Sequence, residues 1–353
     1  MIKEMLKTDI KSLTIEELQK ELQGMGEKPF RGAQIYEWLH GKLARTFEEM
    51  SNLPKNLRRR LEERFLLVAL EPVQVLESRL DGTRKYLFRL WDGHVIESVF
   101  MRYHHGNSLC ISSQVGCRMG CRFCASTLDG LARSLLPSEM LDQVYAASRH
   151  TGERISNVVV MGTGEPLDNY DNLLRFMELL SDARGLHISR RSITVSTCGI
   201  VPAMRRLADE KLQITLALSL HAVTDEKRRA LMPVANRYPL DEVLSACEYY
   251  QEQTGRRMTF EYSLAEGVND TDEDAAGLAR LAGRLSCHVN LILINPVSER
   301  DFSAPRRARA EAFKNKLEKN RINVTIRREM GRDINGACGQ LRHGYIKNGQ
   351  QEA

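Results

Sequence analysis

The chain has 353 residues, too many for one small domain and enough to bury a large core. With 42% hydrophobic and 27% charged residues it has the composition of an ordinary globular protein, and a net charge of +5 is compatible with a nucleic-acid partner without demanding one. No apolar run approaches a membrane span, and Met1-Ile-Lys-Glu-Met-Leu-Lys lacks the apolar core of a signal peptide, so the eight cysteines are expected in a reducing cytoplasm where lasting disulfides are rare.

Residues 1–70 read as a compact helical accessory piece. Thr14-Ile-Glu-Glu17 is a capping box that opens a helix ending near Gly24 and Gly26, with Ile15, Leu18 and Leu22 on one face. Pro29 opens the next segment, which mixes Ala33, Tyr36, Trp38 and Leu39. Thr46-Phe-Glu-Glu49 has the pattern of a second capping box. The run from Lys55 to Arg64 carries five positive and two negative side chains, either a solvated helix face or a phosphate-contacting one.

Residues 71–105 read as β structure that joins the N-terminal piece to the rest. Segments 84–91 and 94–101 alternate in polarity around an Asp92-Gly93 turn. From Leu109 onward, short apolar runs alternate with helix-like stretches, the rhythm of parallel βα units. Strands are expected at 109–113, 157–161, 192–196, 213–220, 258–263 and 288–294, with 323–328 as a seventh at an edge. Six units make a partial (βα)6 barrel of the α/β class, spanning 106–341 and followed by a polar tail at 342–353. Polar groups gather at the carboxyl ends of these strands, where αβ barrels hold ligands. They are Gly164-Glu165-Pro166, Ser196-Thr197, Ser219-Leu220-His221, Glu261 and Asn295-Pro296, with Glu261 read as structural.

The densest chemistry is Cys117-Arg-Met-Gly-Cys121-Arg-Phe-Cys124. A structural zinc site normally takes four ligands in separated pairs. Three thiolates this close suit a [4Fe–4S] cluster with one iron left open, and zinc or a redox dithiol are the alternatives. Cys198, Cys247 and Cys287 read as small buried hydrophobes.

The CxxxCxxC spacing resembles the cluster loop of radical S-adenosylmethionine enzymes. With Cys110-Ile-Ser-Ser-Gln-Val-Gly-Cys117, Gly164-Glu165-Pro166 and Ala337-Cys338-Gly339-Gln340-Leu341, the chain resembles the dual-specificity RNA adenine C2-methyltransferases. That resemblance implies a [4Fe–4S] cluster on Cys117, Cys121 and Cys124, and S-adenosyl-L-methionine against Gly164, Glu165, Ser196, Ser219, Leu220, His221 and Asn295. It implies a methyl group carried on Cys338, a C2 proton removed by Glu97, and release through a transient disulfide from Cys110. Carbon C2 of adenine is electron-poor and will not take the methyl by simple displacement, whereas a thiolate will. The implied targets are adenosine 2503 of 23S rRNA and adenosine 37 of tRNAs. Phosphate contacts would come from the N-terminal helices, Arg306-Arg307-Ala-Arg309 and Arg327-Arg328, and the electron from flavodoxin or ferredoxin. A monomer is expected. A C8-methylating enzyme of the same superfamily shares the cysteine pair, and a zinc-binding RNA module without catalysis is the alternative of another class.

Overall fold

The structure, a computed structural model, describes residues 7–334 and 339–351. The N-terminal piece comprises β1 (Thr8–Asp9), α1 (Ile15–Gly24), α2 (Phe30–Tyr36), α3 (Lys55–Arg64) and β2 (Phe65–Leu66), with β1 and β2 paired in parallel. The capping box forms as expected: Glu17 N–H donates to Thr14 Oγ1 and Thr14 N–H donates to Glu17 Oε2 at 2.9 Å. The second does not. Residues around Thr46 fold as turns in which Arg45 N–H donates to Glu49, and the helix begins only after Pro54. A helix running on from Thr46 would put Pro54 in its interior, where the ring clashes and no N–H is available. In the basic helix α3, Leu57 and Leu61 are buried, Arg60 pairs with Glu27 at 2.8 Å, and Arg64 pairs with Glu21.

The chain continues through β3 (Glu71–Glu77), β4 (Arg84–Arg89), β5 (Val95–Tyr103), β6 (Gly106–Cys110), the hairpin strands β7 (Gln114–Gly116) and β8 (Leu131–Ser134), and α4 (Pro137–Thr151). Next come β9 (Ile155–Val160), α5 (Tyr170–Ser181), β10 (Ile193–Thr197), α6 (Val201–Asp209), β11 (Thr215–Ser219), α7 (Asp225–Leu231) and α8 (Leu240–Thr254). The last part is β12 (Met258–Leu264), α9 (Asp272–Ala282), β13 (Cys287–Leu293), α10 (Arg307–Lys319), β14 (Asn323–Ile326) and α11 (Gln340–Gln351). One sheet takes the order β14-β13-β12-β11-β10-β9-β6-β5-β4-β3. Neighbours from β6 to β14 are parallel, giving the partial (βα)6 barrel with β14 beyond it. Strands β3 to β5 are antiparallel and extend this same sheet past β6. Among the described residues no helix is long and apolar enough to cross a membrane.

The N-terminal piece shares the barrel's core. Ile10, Leu18, Ile35 and Leu39 belong to one apolar cluster with Leu141, Val144 and Tyr145 of α4. Buried polar groups key the two together. Lys11 Nζ lies 2.7 Å from Asp142 Oδ1 and also donates to the Val68 carbonyl, while Asp142 Oδ2 accepts from Leu70 N–H and from Arg149 at 3.3 Å. Burial pushes the Lys11 ammonium's pKa down and Asp142 opposes it. His40 Nδ1 sits 2.8 Å from the Tyr145 hydroxyl, and burial lowers the His40 pKa to about 3, so the ring is neutral at pH 7.

Removing the counter-charge should be costly. Asp142→Ala is expected to lower the unfolding free energy by about 3–5 kcal/mol in urea titrations, because it leaves Lys11 buried and unpaired; a loss below about 1 kcal/mol would mean that the pair is not a keystone. His40 gives an acid sensitivity. Its folded pKa of about 3 lies below the ordinary unfolded value of about 6.5, so between those values the unfolded state binds the extra proton. Stability is therefore retained above about pH 6.5 and falls by about 1.4 kcal/mol per pH unit below it. His40→Asn should flatten that slope by one proton in denaturations at pH 7, 6 and 5.

Candidate active site

The polar groups singled out in the sequence collect at one end of the parallel strands. Gly164 and Glu165 come after β9, Ser196 lies in β10, Ser219 ends β11, Leu220 and His221 come next, and Asn295 comes after β13. Ser196 Oγ and Ser219 Oγ are 3.3 Å apart. Glu165 is buried and bridges two strand ends, accepting from Cys198 N–H at 2.8 Å and Leu167 N–H at 3.1 Å. Burial raises its pKa against these hydrogen bonds. Gly164 has φ +114°, and a Cβ there would meet Gln114 and Ser113 at 2.7 Å. The glycine therefore serves close packing on the strand that leads into the cysteine loop, a reason for glycine that the sequence motif alone did not reveal. His221 accepts from Ser263 N–H at Nδ1, and burial lowers its pKa to about 3. The neutral ring thus carries its proton on Nε2, leaving a donor at that atom. Glu261 accepts from Asn290 at 2.9 Å and is raised in pKa by burial. It stands opposite Ser219 in the sheet register.

The cysteine loop is pinched at its base. Cys117 N–H donates to Gly130 O at 2.8 Å, and a Cβ on Gly116 would lie 1.9 Å from that same carbonyl oxygen. Within the loop, Thr127 Oγ1 donates to the carbonyls of Cys121 and Cys124, both at 3.0 Å. Burial, with Glu165 and Cys124 nearby, pushes the Cys117 thiol up to about 12, and burial raises Cys121 as well. Iron must therefore displace protons to bind. Among the described residues no three His, Cys, Asp or Glu side chains are set around a single ion. A cluster that takes one cysteine on each of three irons does not require that convergence.

Arg228, on α7, tests whether the site fits such a cluster. It is fully buried, its Nη2 donates to Cys198 O at 2.6 Å, and its Nε and Nη1 have no partner among the described residues. Its electrostatic neighbours are, in order of weight, Cys198, Cys121, Asp225 and Cys247. A buried cation with idle donors is costly unless negative charge lies beside it, and thiolate-bound iron supplies that charge. The donor set fits. Sequence reasoning missed Arg228 because Asp225-Glu-Lys-Arg-Arg reads as a solvated helix; only burial distinguishes it.

The C-terminal segment closes on this site. Ala337 and Cys338 lie outside the described residues, but Gly339 does not. Its N–H donates to Glu97 Oε2 at 2.6 Å, and a Cβ on it would lie 2.8 Å from Ser126. Glu97 Oε1 accepts from Arg342 N–H, and Lys85 Nζ lies 3.5 Å from Oε2. Arg342 also donates to Val95 O at 3.1 Å and to Asp129 of the cysteine loop at 2.9 Å. Cys110 stands opposite Val99, two residues along β5 from Glu97, so alternation puts both side chains on one face of the sheet. The Glu97 contact with Gly339 and the Arg342–Asp129 tie had no sequence signal, being long-range.

Removing the Glu97 carboxylate should loosen this closure. Glu97→Ala is expected to speed amide exchange at Gly339 and Arg342 about tenfold or more, since each charged hydrogen bond contributes about 1.5–3 kcal/mol. Unchanged exchange would show that packing alone holds α11.

Comparison with known proteins agrees with this arrangement. Residues 111–279 match the radical SAM superfamily, and residues 8–67 match the ribosomal RNA large subunit methyltransferase N-terminal domain. A probable dual-specificity RNA methyltransferase RlmN of Lachnospira eligens is 62% identical over 97% of both chains. Its counterpart in Clostridium perfringens strain 13 is 52% identical, over 96% of this chain and 98% of that one. The crystal structure of a radical SAM methyltransferase from Sphaerobacter thermophilus superposes with a TM-score of 0.91 at 44% identity, covering 94% of this chain and 98% of that one.

Proposed function

This chain belongs to the RlmN family of radical SAM RNA methyltransferases, which use a [4Fe–4S] cluster and S-adenosyl-L-methionine, and from that premise we propose that it methylates C2 of adenosine 2503 in 23S rRNA and of adenosine 37 in tRNAs through a methyl group carried on Cys338. Two molecules of S-adenosyl-L-methionine are consumed per turnover, one as methyl donor. Cys117, Cys121 and Cys124 hold the cluster, and Gly164, Glu165, Ser196, Ser219, Leu220, His221 and Asn295 hold the methionine and sugar of the cofactor. Bound there, the cluster supplies the electron, drawn from flavodoxin or ferredoxin, that starts the radical chemistry. The protein acts as a monomer in the cytoplasm.

The remaining work falls to this chain's own side chains. The Cys338 sulfur attacks the methyl carbon of one S-adenosyl-L-methionine, S-adenosylhomocysteine leaves, and the methyl stays on the chain as a thioether. One hydrogen atom of that methyl passes to the adenosyl group of the second S-adenosyl-L-methionine, and the carbon adds to C2 while still on sulfur. The adduct then gives up one electron, and Glu97 removes the C2 proton. Cys110 then attacks the Cys338 sulfur: an S–S bond forms as the S–C bond breaks, the methylated base leaves, and an external thiol later reduces the disulfide. Gly339 carries this reading. It is the chain neighbour of Cys338, it packs on Ser126 just past the last cluster cysteine, and it is bonded to Glu97 on the face that bears Cys110. One carboxylate thus serves as the loop's anchor and as the base, and it must yield the Gly339 N–H to take the proton.

The test is anaerobic reconstitution, then reaction with protein-free 23S RNA and labelled methyl donor. Cys338→Ala should carry no methyl group by mass spectrometry, and a normal load would end the carrier role. Cys110→Ala should accumulate a protein–RNA cross-link, whereas clean turnover would remove it from the release step. Glu97→Gln should slow resolution of the adduct, and the modified nucleoside should bear its methyl at C2.

A further inference from the structure

We propose that Trp91 is a stacking platform for a nucleobase flanking the target adenine. The proposal rests on the RNA-modifying reading above and assigns it a residue and a mode of contact. Strands β4 and β6 run in the same direction, each antiparallel to β5, so the turn that leaves β4 emerges at the end of the sheet where the parallel strands present their ligand-facing groups. Trp91 occupies that turn and is 45% exposed. Val95, where β5 begins, is two residues from Glu97. Arg89 is level with Val95 in the register, so the turn that bears Trp91 begins roughly 7 Å along the sheet from Glu97.

The indole is held rather than loose. The Arg133 guanidinium lies over its ring, 5.6 Å from the centroid. Arg133 is in turn clamped by a bidentate pair with buried Glu139, at 2.7 Å for both contacts, and by Asp92, the residue after the tryptophan. The guanidinium over the ring is thus fixed by two carboxylates, one of which, Glu139, also caps α4. Burying the indole would have been the more direct way to use it for stability, since exposed apolar area gains nothing from folding. A ring with a guanidinium over it and nearly half its surface exposed can take a second planar group. Beside it, Arg89 donates to the hydroxyl of Tyr345, another exposed aromatic, at 2.8 Å. Arg89 stands opposite Glu71 in the sheet register and is an exposed cation on the strand that leads to Trp91. Single-stranded RNA is read by base stacking on aromatic side chains with cations nearby, and an adenine whose C2 edge must be reached has to leave its own stack. A platform for its neighbour would hold the strand while the target base is out.

Tryptophan fluorescence tests this directly, because the chain has two tryptophans and Trp38 lies in the N-terminal piece. In the full-length Trp38→Phe protein, emission comes from Trp91 alone. A protein-free fragment of 23S rRNA carrying the target adenosine should quench it saturably, with the same midpoint as filter binding. Trp91→Ala should weaken filter binding about tenfold, Trp91→Phe much less, and the slope of affinity against salt should stay unchanged, because stacking releases no counterions. Circular dichroism and iron content equal to wild type would exclude misfolding. Quenching absent, with Trp91→Ala binding within about twofold of wild type, would overturn the platform while leaving the RNA-methyltransferase reading intact. A shallower salt slope in Trp91→Ala would assign the loss to phosphate contacts and overturn stacking. Slowed reduction by flavodoxin with RNA binding intact would hand the patch to the electron donor. Failure of the wild-type protein to bind the RNA would overturn the functional reading itself.

Discussion

A single buried carboxylate ties the end of the chain to its middle. Glu97 lies in an antiparallel strand outside the parallel core, yet its two oxygens hold the amide of Gly339, just before the last helix, and that of Arg342 in its first turn. Helix N-termini carry partial positive charge and free N–H groups, so an acidic side chain there is favourable whatever else it does. Here the bond spans more than two hundred residues of sequence. Lys85 beside it balances the charge in an interior that would otherwise penalise it. Arg342 then extends the tie to Asp129, so the cysteine loop, the antiparallel strands and the C-terminal helix meet around one pair of oxygens.

The N-terminal piece is fixed with equal firmness on the far side of α4. Lys11, Asp142 and His40 are buried polar groups engaged in that interface or beside it, and half-buried Arg149 joins them. Such contacts contribute little net stability compared with apolar packing, but they punish misalignment, because any shift leaves a charge unpaired. The orientation of the helical piece relative to the barrel is therefore specified, not merely permitted. For an enzyme that must present one base of a large RNA to a buried centre, a fixed arm is more useful than a tethered one. The basic helix α3 belongs to the same frame: Arg60 and Arg64 are engaged with Glu27 and Glu21, while Lys55, Arg59 and Arg64 stay exposed.

The barrel was legible in the sequence because parallel strands covered on both faces read as short apolar runs; Val158 and Val160 are buried and Val159, on the other face, is half-buried. Strand positions from β9 to β14 accordingly fall within a few residues of expectation. The antiparallel strands were legible as a hairpin, but their membership of the barrel sheet was not, since pairing with β6 depends on register across the whole molecule. The capping box at Thr14 and its look-alike at Thr46 differ in the residues on their C-terminal side: apolar periodicity in one case, Pro54 in the other. At the site, cysteine spacing announced the metal chemistry, while Arg228 and Arg342 were invisible. Both are arginines in polar helices, and only a fold can reveal that such a residue points inward.

The pinched loop and the anchored tail have a common physical logic. A radical generated in a protein reacts with whatever is near, so the acceptor must be the nearest group and water must be absent. Gly116 and Gly130 close the base of the cysteine loop so tightly that no side chain fits between them. Gly339 does the same where the tail meets Ser126. At both points a glycine with positive φ lets two backbones touch, and at both the neighbouring residue is a cysteine, Cys117 in one case and Cys338 in the other. A cysteine one residue from such a backbone contact, as Cys117 is, has little freedom to move away from it.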